Sequence, residues 1–446
     1  MAKPSITVQI ILPEDTSAIK STQKPAVRHC GDEILGYIEV MTCGTFGFNI
    51  EVAFEGLVRT WIGSESDSEN PYHLPPTAEL QFLKETQQVF SDPSAMVDSG
   101  HLCAYHLPFR FVIPHELVSP RANVHSNFLK LCPSAKLGLA FRGTSNGQFH
   151  RQPAIMYVIR VTRIKTGILT PDPLRSNFTR EIIVMPYTPV APPLEMEHFP
   201  QEYRSSTTKT LKQHRWGRPL GVLKISAVEP SPLNIWTSAP RPSTIAALKL
   251  AFSPLDPCQS EVRPFEWKYV AYYHLRSRTF YSTQILDRMP TTTAAKRNLF
   301  LKFRDEKTRS EVREFGTISW KRDCEARSPE HNVTAHDGEC CIWTTNLAVP
   351  VSGTKVLLPT FLNQLSARQY ALVIRLGIQG LYHRKIELIL PVQVIFYPPQ
   401  GILDGIDEES RVESQDEISS SVPRLSHQFT MLNVDRQYDI SPPPYD

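Results

Sequence analysis

Every second residue from Ile386 to Phe396 is apolar: Ile386, Leu388, Leu390, Val392, Val394 and Phe396 share one parity. A two-residue repeat places those side chains on one face of an extended strand, whereas a helix would scatter them around its circumference. The same alternation recurs along the chain. In NIEVAFEGLVRTW, Ile50, Val52, Phe54 and Val58 take one parity, and Asn49, Glu51, Glu55 and Arg59 take the other. In RQYALVIRLGI the apolar parity is Tyr370, Leu372, Ile374, Leu376 and Ile378. VRHCGDEILGYIEV places a Gly31-Asp32 turn before an alternating run from Ile34 to Val40, and AYHLPFRFVIP, YVIRVTRI and REIIVMP repeat the pattern. Proline supplies 38 of the 446 residues. It interrupts helices and central strands, so this much of it belongs in turns, sheet edges and linkers. Short alternating strands divided by Gly, Pro and Asn describe an all-β chain of the sandwich type.

The two halves read alike. MYVIRVTRI followed by REIIVMPYTPVAPP in the first half corresponds to RQYALVIRLGI followed by RKIELILPVQVIFYPPQ in the second. Each half closes with a tyrosine-led strand, a basic-led strand carrying a proline (Pro186, Pro391) and a proline-rich exit, which reads as two tandem sandwiches. The expected organisation is a first sandwich over 1–190, a connection over 191–215, a second sandwich over 216–398 and a disordered acidic tail over 399–446. Two segments read as short helical insertions. PPTAELQFLKETQQVF (75–90) starts on proline, with Leu80, Leu83 and Val89 near helical spacing; TAAKRNLFLKFRDEKTRSEVREF (293–315) is highly charged. Such insertions either pack on a sandwich or lie on a membrane surface, so peripheral membrane contact stays open.

Chemistry is sparse. No phosphate-cradling, dinucleotide, nucleophile-elbow or HExxH motif occurs, and no catalytic or cofactor-binding set is expected. HNVTAHDGECC gathers His331, His336, Asp337, Cys340 and Cys341, but the spacing fits no usual zinc framework and reads as a polar loop, so no metal is expected. RVTRIKTG and RTWIG carry their basic residues on alternating positions, unlike the dense basic and aromatic patch of a nucleic-acid binder. Eight dispersed cysteines without a CxxC pair read as reduced thiols, and the amino terminus lacks the continuous apolar run of a secretory signal. A cytoplasmic protein is the expectation.

The carboxy terminus is different in kind. From Gly401 onward there are ten acids against three arginines, a charge of −7 that leaves +10 on the body of a chain with net charge +3. Few apolar residues are present to support a fold. The chain ends ISPPPYD, in which Pro442, Pro443 and Tyr445 make a PPxY sequence. Proline fixes φ near −65°, so the run is pre-formed as a polyproline II helix and loses little entropy on docking. WW domains bind such segments, with the prolines on aromatic rings and the tyrosine in a neighbouring pocket. At this chain's composition about 0.1 PPxY sequences would arise by chance. Ser419–Ser421 and Ser441 are positions where phosphorylation would add charge to the tail.

VRHCGDEILGYIEV, FNIEVAFEGLVRT, YHLPFRFVIPHEL and YVIRVTRI together resemble the arrestin N-terminal domain, with Pro108-Phe109 at a characteristic strand. LPTFLNQLSARQYALVIRLGI and IELILPVQVIF are similar to the closing strands of the arrestin C-terminal domain, and AELQFLKETQ resembles an insertion of fungal alpha-arrestins. The resemblance spans roughly 5–398 and is loosest over 220–345. It implies two tandem arrestin-like, immunoglobulin-like β-sandwiches without a catalytic site. It further implies an adaptor whose PPxY recruits a WW-domain, HECT-type ubiquitin ligase to membrane transporter or receptor cargo at the plasma membrane or endosomes, promoting ubiquitylation and endocytosis. The alternatives are a non-catalytic scaffold or sorting subunit of the same fold without ligase recruitment, and a carbohydrate-active sandwich enzyme with positioned carboxylates.

Overall fold

The structure, a computed structural model, describes residues 7–16, 26–42, 48–62, 76–90, 96–98, 103–118, 128–138, 141–142, 149–150, 152–166, 178–236, 241–255, 263–324, 341–353 and 357–398. Over these residues the chain is almost wholly β. The first half has one antiparallel sheet in the order β1 (Thr7–Ile11), β3 (Glu33–Thr42), β7 (Cys103–Val112) and β6 (Met96–Asp98). A second sheet runs β2 (Val27–Arg28), β12 (Thr179–Val184), β11 (Ala154–Thr166), β4 (Phe48–Trp61) and β5 (Thr77–Phe90), with β8 (Ala135–Lys136) against the start of β11. β9 (Phe141–Arg142) and β10 (Phe149–His150) form a separate pair. Ile34, Ile38 and Val40 of β3 and Leu107, Phe109 and Phe111 of β7 close on Ile50, Val52 and Phe54 of β4 and Ile155, Tyr157 and Ile159 of β11. The residues that alternation assigns to the inner face are the ones that make this core.

The second half repeats the plan. One sheet runs β13 (Ser206–Lys212), β14 (Pro219–Ala227), β16 (Ser243–Pro254), β21 (Cys341–Ser352) and β20 (Lys321–Cys324). Opposite it, β17 (Lys268–Ser282) carries β18 (Leu301–Lys307) and β19 (Glu311–Thr317) successively on one edge and β23 (Ser366–Ile378) on the other. β23 in turn carries β24 (Ile386–Val392) and β22 (Phe361–Leu362). A short parallel pair, β15 (Leu233–Asn234) with β25 (Val394–Ile395), mirrors the parallel pair β2 and β12. The inner core joins Leu223 and Leu250 to Tyr269, Leu372, Leu388 and Leu390.

Internal repetition reaches down to single atoms. β11 lies between β4 and β12, as β23 lies between β17 and β24. Tyr157 of β11 donates its buried hydroxyl to the Cys132 carbonyl at 2.7 Å, and Tyr370 of β23 donates to the Leu358 carbonyl at 2.6 Å. Each tyrosine thus ties its strand to the chain segment beside it. Gly31, at φ +86°, makes the turn before β3, which Asp32 secures by accepting the His29 backbone N–H at 2.7 Å.

Both expected helices need correction. Residues 77–90 are strand β5, paired along β4. A bulge opposite Gly56 and Leu57 inserts Phe82 into the ladder, which switches the inward parity from Leu80 to Leu83. That switch, and not a helical turn, produces the three-residue spacing. Over 293–315 the helix is only α2 (Thr292–Arg297), capped by Thr291 accepting the Ala294 N–H at 3.1 Å; the rest is the β18–β19 run. Its charges fall on both faces because these are edge strands. The other α-helix among the described residues is the single turn α1 (Pro13–Thr16). Finally, Ser206–Lys212, placed by the sequence in the connection, is β13, hydrogen-bonded to β14.

Candidate functional site

Pro442, Pro443 and Tyr445 lie outside the described residues, as do the tail serines and all of HNVTAHDGEC up to Cys340. Cys341 begins β21. Among the described residues no group of three His, Cys, Asp or Glu side chains could hold a metal ion, and no helix is long and apolar enough to cross a membrane. The chemistry that the structure does gather lies at the junction of the two halves.

The junction is built from both sides. Residues 357–366 leave the second half and enter the first: Phe361 and Leu365 belong to the first core, and Cys132 Sγ contacts the Leu362 carbonyl at 3.7 Å. Thr60, at the end of β4, donates to the Ser282 carbonyl at the end of β17 at 2.6 Å. On the opposite side His29, Tyr187, Trp236 and Phe396 stack as one group, with His29 5.1 Å from Phe396 and 5.7 Å from Tyr187. That group joins the first turn, the exit from β12, the β15 segment and the exit from β25.

Where β17 nears the junction its inward face turns polar. Ser277 and Thr279 continue the parity of Tyr273 and Leu275, while Arg278, on the opposite face, makes two hydrogen bonds to Asp305, at 2.7 and 3.0 Å. On the inward face Arg368 donates to Tyr370 Oη (2.9 Å), Thr279 Oγ1 (2.6 Å), Ser277 Oγ (3.0 Å) and Glu306 (3.1 Å). Both arginines are buried. A guanidinium removed from water needs partners for its donors; Arg368 places four such bonds, and Arg278 sets two on a single carboxylate. Burial pushes the Tyr370 hydroxyl up, with Arg368 opposing.

The connection is held against this network. Glu202, only 2% exposed, accepts the Thr292 backbone N–H at 2.6 Å at the start of α2, and also the Thr292 hydroxyl. Its carbonyl accepts from Arg276 at 3.1 Å. Burial lowers the Arg276 guanidinium, and neighbouring Arg278 adds to the effect. Tyr203 donates to Gln369 Oε1 at 3.2 Å, its hydroxyl raised by burial against the pull of Arg278 and Arg276.

Between the connection and β22–β25 a cleft of about 750 Å³ remains open. Its cause is visible in the pairing: one edge of β23 passes from β24, which ends opposite Tyr370, to β22, which begins opposite Arg368. Gln369 sits at that step. The walls are mainly apolar, including Leu131, Leu194, Phe199, Met289, Phe361 and Val392.

Of these residues, sequence reading places Tyr370 on the core parity and singles out neither Tyr203 nor the polar set. One signal was present: Arg368 shares the core parity of Tyr370 and Leu372, and a charge on that parity marks a buried partner network. Glu202, Arg278 and Gln369 carry no such sign, because only the tertiary fold brings them together. No protein-family model matches the chain, and no curated protein matches it.

Proposed function

We propose that the chain is an adaptor of the alpha-arrestin kind, a two-sandwich body that recognises membrane cargo and a tail that brings a ubiquitin ligase to it. The observation that carries the reading is the PPxY, Pro442-Pro443-x-Tyr445, set in an acidic segment after the described residues. The all-β body supports it, as does the pairing of the segments that resemble arrestin: β3 with β7, and β4 with β11. Reach is adequate. A segment of about 40 residues of this composition, behaving as a free chain, would span roughly 35 Å on average, so that ligase and cargo would meet as if tethered. The partners are a WW-domain, HECT-type ligase and a transporter or receptor, with recruitment from the cytoplasm to the plasma membrane or endosomes.

The test is binding of a labelled 425–446 peptide to a panel of WW domains from HECT ligases, beside the same peptide carrying Tyr445→Ala. Saturable binding in the micromolar to tens-of-micromolar range, about −6 to −8 kcal/mol, abolished by the substitution, is expected. Binding indifferent to Tyr445, or none, would discard the ligase link and favour a scaffold of the same fold.

A further inference from the structure

The junction cleft has the size of a small-molecule site, for which about 300–1,000 Å³ is usual, and it lies between two domains, where such sites concentrate. Most of its polar groups are already spent. Glu229 accepts from the Leu194 N–H at 2.8 Å and from Gln393 Nε2 at 3.0 Å. Thr360 Oγ1 accepts from the Val394 N–H at 3.0 Å, and Tyr370 Oη is held by Arg368 and Leu358.

Two side chains on the lining end in donors without an acceptor among the described residues. Gln369 is 6% exposed, and its Oε1 is taken by Tyr203, which fixes the amide with Nε2 unspent. That Nε2 reaches the open cleft, where water meets it until the acceptor of a ligand takes its place. Lys130 is half-buried at the same cleft, brought in from the first half beside Leu131 and Cys132, and its ammonium has no acid partner. Arg288, also on the lining, is engaged only with its exposed neighbour Asp287.

The remaining carboxylate of the lining, Glu195, is exposed and paired with His198 at 3.3 Å, so an apolar chamber whose less exposed free groups are Lys130 and the Gln369 amide selects a ligand with an apolar body and an acceptor, anionic end. We propose that this cleft binds a long-chain carboxylate, its acyl chain against Leu194, Phe199, Met289 and Val392 and its carboxylate received by Lys130 and the Gln369 amide. The pairing step at Gln369 that opens the cleft is also what presents the amide to it. Nothing in this site depends on the tail.

The experiment uses the full chain and cis-parinaric acid, whose fluorescence rises on entering an apolar site, titrated below its aggregation range. Oleate and oleyl alcohol, which share a chain and differ in the acid, are the competitors. Expected are saturable one-to-one binding, displacement by oleate, and displacement by oleyl alcohol weaker by about tenfold or more, the worth of a charge-assisted hydrogen bond. Lys130→Ala, at a half-exposed position, should weaken oleate by about tenfold, while Lys249→Ala on the outer face of β16 leaves it unchanged. Gln369→Met, nearly isosteric, should weaken binding with the melting temperature retained. If it fails to fold, the Lys130 and alcohol comparisons decide alone. Absence of saturable binding, equal displacement by acid and alcohol, or indifference to Lys130→Ala would each overturn the assignment.

Discussion

Tyr157 and Tyr370 occupy corresponding places in the two sandwiches, yet they do not carry equal loads. Tyr157 Oη serves one carbonyl, that of Cys132. Tyr370 Oη serves the Leu358 carbonyl and also accepts Arg368 Nε. Tyr157→Phe therefore strands one buried acceptor, at about 1–3 kcal/mol, and Tyr370→Phe strands an acceptor and a charged donor, with a larger loss. Urea unfolding of the two variants should rank them in that order. Cys132, beside the first of these bonds, is pushed up to about 12 by burial, with the neighbouring Asn363 amide opposing. Its folded value lies above that of an unfolded thiol, near 8.5, so the unfolded chain loses the proton first. The thiol's contribution is fully present below that unfolded value and is lost as pH rises toward about 12, at about 1.4 kcal/mol per unit. Tyr157, raised by burial, acts in the same sense above about 10. Stability measured between pH 7 and 10.5 should fall less steeply in Cys132→Val than in the parent chain.

At the scale of elements, β4 and β5 show how a single bulge controls both packing and legibility. The Phe82 ring lies across Gly56, where a β-carbon would run into its Cε2 and Cζ atoms. Gly56→Ala should therefore destabilise by about 1–3 kcal/mol through overpacking. Phe82→Ala removes the obstacle at its own cost of about 3–5 kcal/mol. The double variant should be more stable than the sum of the two changes predicts, a coupling that a double-mutant cycle in urea reads directly. The same bulge explains why β5 was misread. Strands with unbroken alternation, such as β23 and β24, declared themselves in sequence, since parity survives along them. β5 changes parity at Phe82 and imitates a helix. β18 and β19 were hidden for another reason: edge strands exposed on both faces lose the alternation that burial imposes. The candidate site was illegible for a third reason. Gln369, Tyr203 and Lys130 come from three distant segments, and nothing in the local pattern of any one of them announces the other two.

For the whole molecule, the decisive fact is that the two halves do not keep their cores to themselves. Phe361 and Leu365 come from the second half, and both are buried in the first core, at 6% and 1% exposure. Thr60 answers from the first half by donating to the Ser282 carbonyl. A first half expressed alone would retain its strands but lose two large side chains from its interior and expose the surface they cover. Phe361→Ala should cost about 3–5 kcal/mol and Leu365→Ala about 2–5 kcal/mol by the usual cavity penalties. The location of the effect is the sharper prediction. If residues 357–366 are structurally part of the first sandwich, hydrogen exchange followed by mass spectrometry should show faster exchange in β4 and β11, more than 190 residues away in sequence. The strands β14 and β16 of the second core should stay protected. Loss of protection confined to 341–398, with β4 and β11 unchanged, would mean that the two sandwiches are energetically independent. Loss of protection in both cores at once would mean that they unfold as a single unit.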